Sequence, residues 1–151
     1  MKVISVVGAK KTGKTTLVTS LVKSLLKFGR VGTIKNMAGH AVDSGDTMRH
    51  LDAGADVVIG LGKNRLEVTK SAGSLESALA DLQTKGLDFV VVEGFKQSGL
   101  PKIVLGDIEV PQALGKVELS KLDDDLIGEL TDLVLGLDDY CIEPWFVRRG
   151  L

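Results

Sequence analysis

The feature that most narrows the choice of fold is a short apolar run that stops at a glycine and a lysine-bearing turn. Val3-Ile4-Ser5-Val6-Val7 is rich in β-branched residues and ends at Gly8, the pattern of a strand buried within a parallel sheet. Gly8-Ala9-Lys10-Lys11-Thr12-Gly13-Lys14-Thr15 then fits G-x-x-x-x-G-K-[ST]. From Lys14 the period becomes helical: Leu17, Val18, Leu21, Val22, Leu25 and Leu26 share one face, with Thr19, Lys23 and Lys27 opposite. Gly29 is placed to stop that helix in the left-handed conformation. Strand, glycine loop and helix make half of a βαβ unit.

Each residue type in the loop has a physical reason. Gly8 and Gly13 allow backbone angles that aim consecutive N–H groups at one anion. The helix beginning at Gly13 adds its unpaired N–H groups and the positive end of its dipole. Lys14 would reach the β- and γ-phosphates of a nucleotide, and the Thr15 hydroxyl would ligate Mg²⁺. With 18 glycines in 151 residues, a chance match anywhere in the chain is expected only about 0.02 times. Lys10 and Lys11 add positive charge around the loop, although such extra lysines are more often simply solvated.

The remaining segments predict an α/β chain. Val31-Gly32-Thr33-Ile34 reads as a second strand, parallel to the first through a right-handed crossover. Residues 35–47 are polar, glycine-bearing and aperiodic, hence a functional loop, and a weak helix follows over 46–54. Val57-Val58-Ile59 and Leu66-Glu67-Val68-Thr69 read as strands separated by the turn Gly62-Lys63-Asn64. Ser74 can cap a helix that points Leu75, Ala78, Leu79 and Leu82 inward and ends near Lys85-Gly86. Phe89-Val90-Val91-Val92 and Ile103-Val104-Leu105 are further strands. Asp123-Asp124-Asp125 precedes Leu126, Ile127, Leu130, Leu133 and Val134, a helix whose acidic first turn complements its dipole. Tyr140, Trp145 and Phe146 mark a tail over 137–151 suited to a core cap or an interface. These elements predict a three-layer P-loop NTPase fold, a mostly parallel sheet flanked by helices, in one nucleotide-binding domain over 1–151.

Composition removes several classes of function. Nineteen Lys plus Arg against twenty Asp plus Glu give a net charge of -1, without the basic excess of a general nucleic-acid binder. Apolar stretches break within about ten residues, short of the roughly twenty a membrane span needs. The first residues lack the basic flank and cleavage site of a signal peptide. Cys141 stands alone, so neither an internal disulfide nor a thiolate metal cluster can form. A cytoplasmic setting is expected.

A triphosphate's metal needs a second acid. Glu93 closes the run Phe89-Val90-Val91-Val92-Glu93-Gly94, and a parallel strand's carboxyl end faces the ligand crevice. Asp43 and Asp46 compete for the same metal, or for orienting an attacking water. His40 and His50 show no ligand spacing and read as solvent-facing or structural. Ser120-Lys121-Leu122-Asp123 echoes the N/T-K-x-D pattern with which many GTPases grip guanine, but a helix start with acidic first-turn residues explains it better.

Taken in order, several segments resemble the molybdopterin-guanine dinucleotide biosynthesis protein B (MobB) family. They are Gly13-Lys14-Thr15-Thr16-Leu17, Val31-Gly32-Thr33-Ile34-Lys35, Asp43-Ser44-Gly45-Asp46-Thr47-Met48-Arg49-His50 with Ala53-Gly54-Ala55, and Val92-Glu93-Gly94-Phe95-Lys96 with Leu100-Pro101-Lys102-Ile103. Together they cover roughly residues 1–105, and nothing after Asp107 is anchored. The resemblance implies a P-loop protein of the dethiobiotin-synthetase-like branch that binds GTP with Mg²⁺, hydrolyses it weakly and forms a homodimer. It also implies a supporting role in attaching GMP to molybdopterin, beside a molybdenum cofactor guanylyltransferase. By position, Gly8 to Thr16 bind the nucleotide with Lys35 as a loop cation, Lys14, Asp46 and Glu93 are the catalytic set, and Thr15, Asp46 and Glu93 face the metal. Two departures touch this assignment: Asn36-Met37-Ala38-Gly39 intervene where the family carries a His-rich loop, and no Lys stands between Gly45 and Asp46.

Two other readings use the same residues. One is a dethiobiotin-synthetase-like, ATP-dependent kinase or ligase, in which Lys35 places a small acidic substrate. The other is an interaction module whose bound nucleotide only sets a partner surface.

Overall fold

The computed structural model describes residues 1–40, 45–71 and 73–141. They divide into two units, residues 1–36 with 76 onward, and residues 37–75.

The first unit is built on a five-stranded parallel sheet. Its strands are β1 (Lys2–Gly8), β2 (Val31–Lys35), β5 (Phe89–Glu93), β6 (Lys102–Leu105) and β7 (Ala113–Val117), in the spatial order β2-β5-β1-β6-β7. β2 is parallel to β1 as expected, but β5 lies between them and pairs with both. β7 was not foreseen, because its sequence Ala-Leu-Gly-Lys-Val has a glycine at its centre and no apolar run. Edge position explains the composition: a strand with one free flank tolerates the exposed Ala113 and Leu114.

Helices cover both faces. α1 (Lys14–Leu25) and α4 (Asp124–Leu135) pack against Ile4, Val6, Phe89, Val91, Ile103 and Leu105 through Leu17, Leu21, Leu25, Leu130 and Val134. Each of these leucines contributes roughly 1.5–3 kcal/mol by burial, so Leu21→Ala is expected to cost about 2–5 kcal/mol. α3 (Leu75–Thr84) lies over the opposite face, where the Leu82 and Leu87 side chains come so close to Gly32 that a Cβ there would collide with Leu87. This is the three-layer P-loop NTPase arrangement.

Two local expectations are corrected. Leu26 does not complete the inward face of α1: it is the C-cap just past the last helical residue, Leu25, and is 58% exposed. Gly29 is not a left-handed stop. It makes room for Asp88, whose carboxylate would lie 2.5 Å from an added Cβ and accepts a hydrogen bond from the Arg30 N–H at 2.7 Å.

Lys102 is buried in the middle of this unit. Its ammonium donates to the carbonyls of Ser98, Leu100 and Pro111 at 2.5, 2.8 and 3.0 Å, which matches its three N–H donors to three acceptors. Desolvation holds its pKa below the ordinary lysine value.

The second unit contains α2 (Asp46–Asp52) and the antiparallel hairpin of β3 (Val57–Leu61) and β4 (Arg65–Thr69). The Gly62-Lys63-Asn64 turn and the weak helix fall where the sequence places them. Among the described residues no helix is long and apolar enough to cross a membrane.

Candidate functional site

β1 delivers the chain into the loop at Gly8, whose register partner is Leu105 on β6. A Cβ on Gly8 would stand 2.8 Å from the Leu105 carbonyl oxygen and 2.7 Å from Thr12 Oγ1, so no larger residue fits. Lys11 takes φ 60°, and Gly13 takes φ 88° with ψ 19° immediately before α1. These left-handed steps turn the chain sharply into the helix. The Thr12 hydroxyl donates to the Ala9 carbonyl at 2.9 Å and tightens the turn.

α1 begins at Lys14, so the first-turn N–H groups of Lys14, Thr15 and Thr16 have no helical acceptor and point out of its end. No acidic side chain occupies that first turn, which leaves the positive end of the dipole open to an anion. The Lys14 ammonium lies along the loop, donating to the carbonyls of Ala9 at 2.5 Å and Gly8 at 3.3 Å.

Glu93 ends β5, beside β1, on the face that α1 covers. The Thr15 hydroxyl donates to its two carboxylate oxygens, at 3.2 and 3.1 Å. The next residue, Gly94, has φ 99° and would meet the Asn36 Cβ at 2.9 Å if it carried one of its own, so the turn after Glu93 is closed to other residues. Two bonds fix this corner: the Ser5 hydroxyl donates to the Gly94 carbonyl at 2.7 Å, and the Asn36 N–H donates to the Glu93 carbonyl at 2.9 Å. Lys35 is the register partner of Glu93, so it ends the neighbouring strand on the same face.

The structure therefore brings together Lys14, Thr15, Glu93 and Lys35 at the carboxyl end of the sheet. Asp46 is in the second unit, where its carboxylate pairs with the Arg49 guanidinium at 3.1 Å, both side chains being largely exposed. Asp43, Trp145 and Phe146 lie outside the described residues. His40 and His50 are exposed, as expected. Asp123 caps α4, accepting from the Leu126 N–H at 2.8 Å, so the helix-start reading of Ser120-Lys121-Leu122-Asp123 holds.

One neighbour of the loop was missed. The side chain of Leu119, in a 3₁₀ turn over Leu119–Lys121 after β7, covers Gly13: an added Cβ there would lie 2.4 Å from Leu119 Cδ2. No periodicity marks Leu119 in the sequence.

Among the described residues no three His, Cys, Asp or Glu side chains converge on a metal position. A hydroxyl and one carboxylate in contact beside a phosphate loop suit Mg²⁺, which keeps several waters and takes few protein oxygens when phosphates supply the rest.

The family described as molybdopterin guanine dinucleotide synthesis protein B matches residues 3–131 of this chain. A putative molybdopterin-guanine dinucleotide biosynthesis adapter protein of Methanocaldococcus jannaschii is 34% identical over 112 residues, which are 70% of this chain and 47% of that protein. The chain thus spans about half the length of that relative. A molybdopterin-guanine dinucleotide biosynthesis adapter protein of Haemophilus influenzae is 30% identical over 122 residues, 76% of this chain and 68% of that protein. Among solved structures, a MobB protein homolog from Bacillus stearothermophilus superimposes with a TM-score of 0.66 at 28% identity, covering 89% of this chain and 99% of that one. Bacillus subtilis MobB gives a TM-score of 0.69 at 20% identity, covering 91% and 100%.

Proposed function

This chain belongs to the molybdopterin guanine dinucleotide synthesis protein B family, and from that premise we propose that it is a GTP-binding adapter in molybdenum cofactor biosynthesis. In this role it assists the attachment of GMP to molybdopterin, forming molybdopterin-guanine dinucleotide beside a molybdenum cofactor guanylyltransferase. It works in the cytoplasm as a homodimer with weak, Mg²⁺-dependent GTP hydrolysis. Both units count as parts of one nucleotide-binding domain. The adapter names carried by the Methanocaldococcus and Haemophilus relatives support the role.

The observation that carries the reading is the contact of Thr15 with Glu93 beside Lys14. In the proposed complex, Lys14 leaves its loop carbonyls and neutralises the β- and γ-phosphates. The N–H groups of the loop and the first turn of α1 hold bridging and non-bridging oxygens in a preorganised cradle. Thr15 and Glu93 are the residues that would hold Mg²⁺, which supplies charge neutralisation between the phosphates. Asp46 is proposed as an additional acid of the metal end. Weak hydrolysis is part of the proposal: Lys14 and the metal are the cations it assigns to the terminal phosphate, and it assigns no arginine there.

Lys35 in register with Glu93 also favours a second reading, an ATP-dependent kinase or ligase in which this cation steers an acidic substrate. Calorimetric titration with GTP and with ATP, each with and without Mg²⁺, separates the two. The adapter reading expects Mg²⁺-dependent GTP binding, weakened about tenfold to a hundredfold by Lys14→Ala. Preference for ATP would move the assignment to the kinase, and indifference to both nucleotides at millimolar concentration would end it. Molybdopterin-guanine dinucleotide formation with the partner enzyme present tests the adapter role itself.

A further inference from the structure

Among the described residues three buried side chains are polar or charged: Ser5, Lys102 and Thr131. Thr131 is engaged between α1 and α4, where its hydroxyl lies 2.9 Å from the Ser24 hydroxyl and 2.6 Å from the Ile127 carbonyl oxygen. The other two stand side by side, Ser5 on β1 in register with Lys102 on β6. They share the face of the sheet turned away from Ile4, Val6, Ile103 and Leu105. Both reach the same segment, residues 94–101, which leads from Glu93 to β6. At its start the Ser5 hydroxyl donates to the Gly94 carbonyl at 2.7 Å, and at its end the Ser5 N–H donates to the Pro101 carbonyl at 2.9 Å. Between these points the Lys102 ammonium holds the carbonyls of Ser98 and Leu100. The Ser98 hydroxyl is buried and has no hydrogen-bond partner, so Ser98 is held through its main chain alone.

Burying an ammonium costs free energy that an apolar side chain of the same length would not. Packing therefore does not account for Lys102, whereas the carbonyls it gathers do. The segment it gathers has a conformation that needs restraint. Gly94 and Phe95, directly after Glu93, take φ 99° and 59°. For Phe95 the left-handed conformation is unfavourable and persists only where the surroundings impose it. Without its anchors the chain relaxes at the residues next to Glu93.

We infer that Ser5 and Lys102 are positioning residues for the metal pole: by fixing residues 94–101 they hold the Glu93 carboxylate against Thr15. The inference rests on the nucleotide reading above, in which Thr15 and Glu93 hold Mg²⁺. Neither residue touches metal or phosphate in this role. They act from behind, as hydrogen-bonded supports act on a metal ligand, setting its direction before the ion arrives.

The test is the gain that Mg²⁺ brings to GTP binding, measured on the full chain by calorimetry as the ratio of affinity with Mg²⁺ to affinity with a chelator. Lys102→Met keeps the volume and loses the donors, and Ser5→Ala loses the bond to the Gly94 carbonyl. Both lower the ratio, Lys102→Met by about tenfold, while metal-free affinity changes less than about twofold. Val134→Ala, a buried change in α4 on the other face of the sheet, lowers stability and leaves the ratio at its wild-type value. A second measurement needs no ligand. The Glu93 ¹³Cδ resonance of the nucleotide-free protein moves in Lys102→Met and Ser5→Ala and stays in place in Val134→Ala. A wild-type ratio in either variant overturns the inference, including the case in which both affinities have fallen together. So does a ratio that falls as far in Val134→Ala, because it then follows stability alone. If Lys102→Met does not fold, the ratio and the Glu93 resonance in Ser5→Ala decide. A wild-type chain that binds no nucleotide, or gains nothing from Mg²⁺, overturns the nucleotide or metal reading itself, and this inference with it.

Discussion

The hydroxyl of Thr15, in the first turn of α1, donates to both carboxylate oxygens of Glu93, at the end of β5, across 78 residues of sequence. Two strand and helix ends that are far apart in the chain thus present one hydroxyl and one carboxylate at a single corner. The Ser5, Gly94 and Asn36 hydrogen bonds behind Glu93 hold that corner from the side of the sheet.

Thr15→Ala is expected to weaken Mg²⁺·GTP binding about tenfold while changing metal-free GTP binding less than about twofold, because in the proposed complex the hydroxyl would meet the metal and not the nucleotide. Paired calorimetric titrations with magnesium and with a chelator measure this. Equal losses in the two series would contradict the role of Thr15.

Gly13→Ala should damage both fold and site. The residue stands at φ 88°, and its added methyl would meet Leu119 Cδ2 at 2.4 Å. Backbone strain of this kind costs roughly 1–3 kcal/mol, and the steric clash adds to it. Urea unfolding should show a lower midpoint at unchanged slope, and Leu119→Ala in the same chain should recover part of the loss.

Lys102→Ala removes the ammonium that donates to the carbonyls of Ser98, Leu100 and Pro111. A loss of about 3 kcal/mol or more is expected, from unsatisfied acceptors and an empty cavity together. Lys102→Met fills the volume without the donors and should fall between wild type and Lys102→Ala in denaturant melts. A Met variant as stable as the wild type would show that the carbonyls find other donors.

The exposed pairs at Lys116 give a pH signature. Hydrogen bonds from its ammonium to Asp107 and Glu109, at 2.9 and 2.5 Å, raise its pKa to about 12. The same contact holds the Asp107 carboxyl below its ordinary value. The Lys116 contribution is present below its unfolded value near 10.5 and is lost as pH rises through about 12. That of Asp107 is present above its ordinary value of 3.8 and is lost as pH falls through its lowered one. In an NMR titration the Lys116 ammonium should remain protonated at pH 11, and Asp107→Asn should bring its midpoint down.

Local chemistry and period carried much of this protein. The eight residues from Gly8 to Thr15 match the phosphate-loop pattern, because its glycines, lysine and hydroxyl lie together in one short stretch of chain. The repeat in α1, the turn at Gly62-Lys63-Asn64 and the acid after Phe89-Val90-Val91-Val92 were legible for the same reason: each signal lies within a few neighbouring residues. Tertiary structure decided the rest. It placed β5 between β2 and β1, made a strand of Ala113–Val117, left Leu26 outside the core and set Leu119 on Gly13. Strand order, edge position and a contact between distant residues depend on which surfaces remain after the other elements have packed, and no short stretch of chain carries that information.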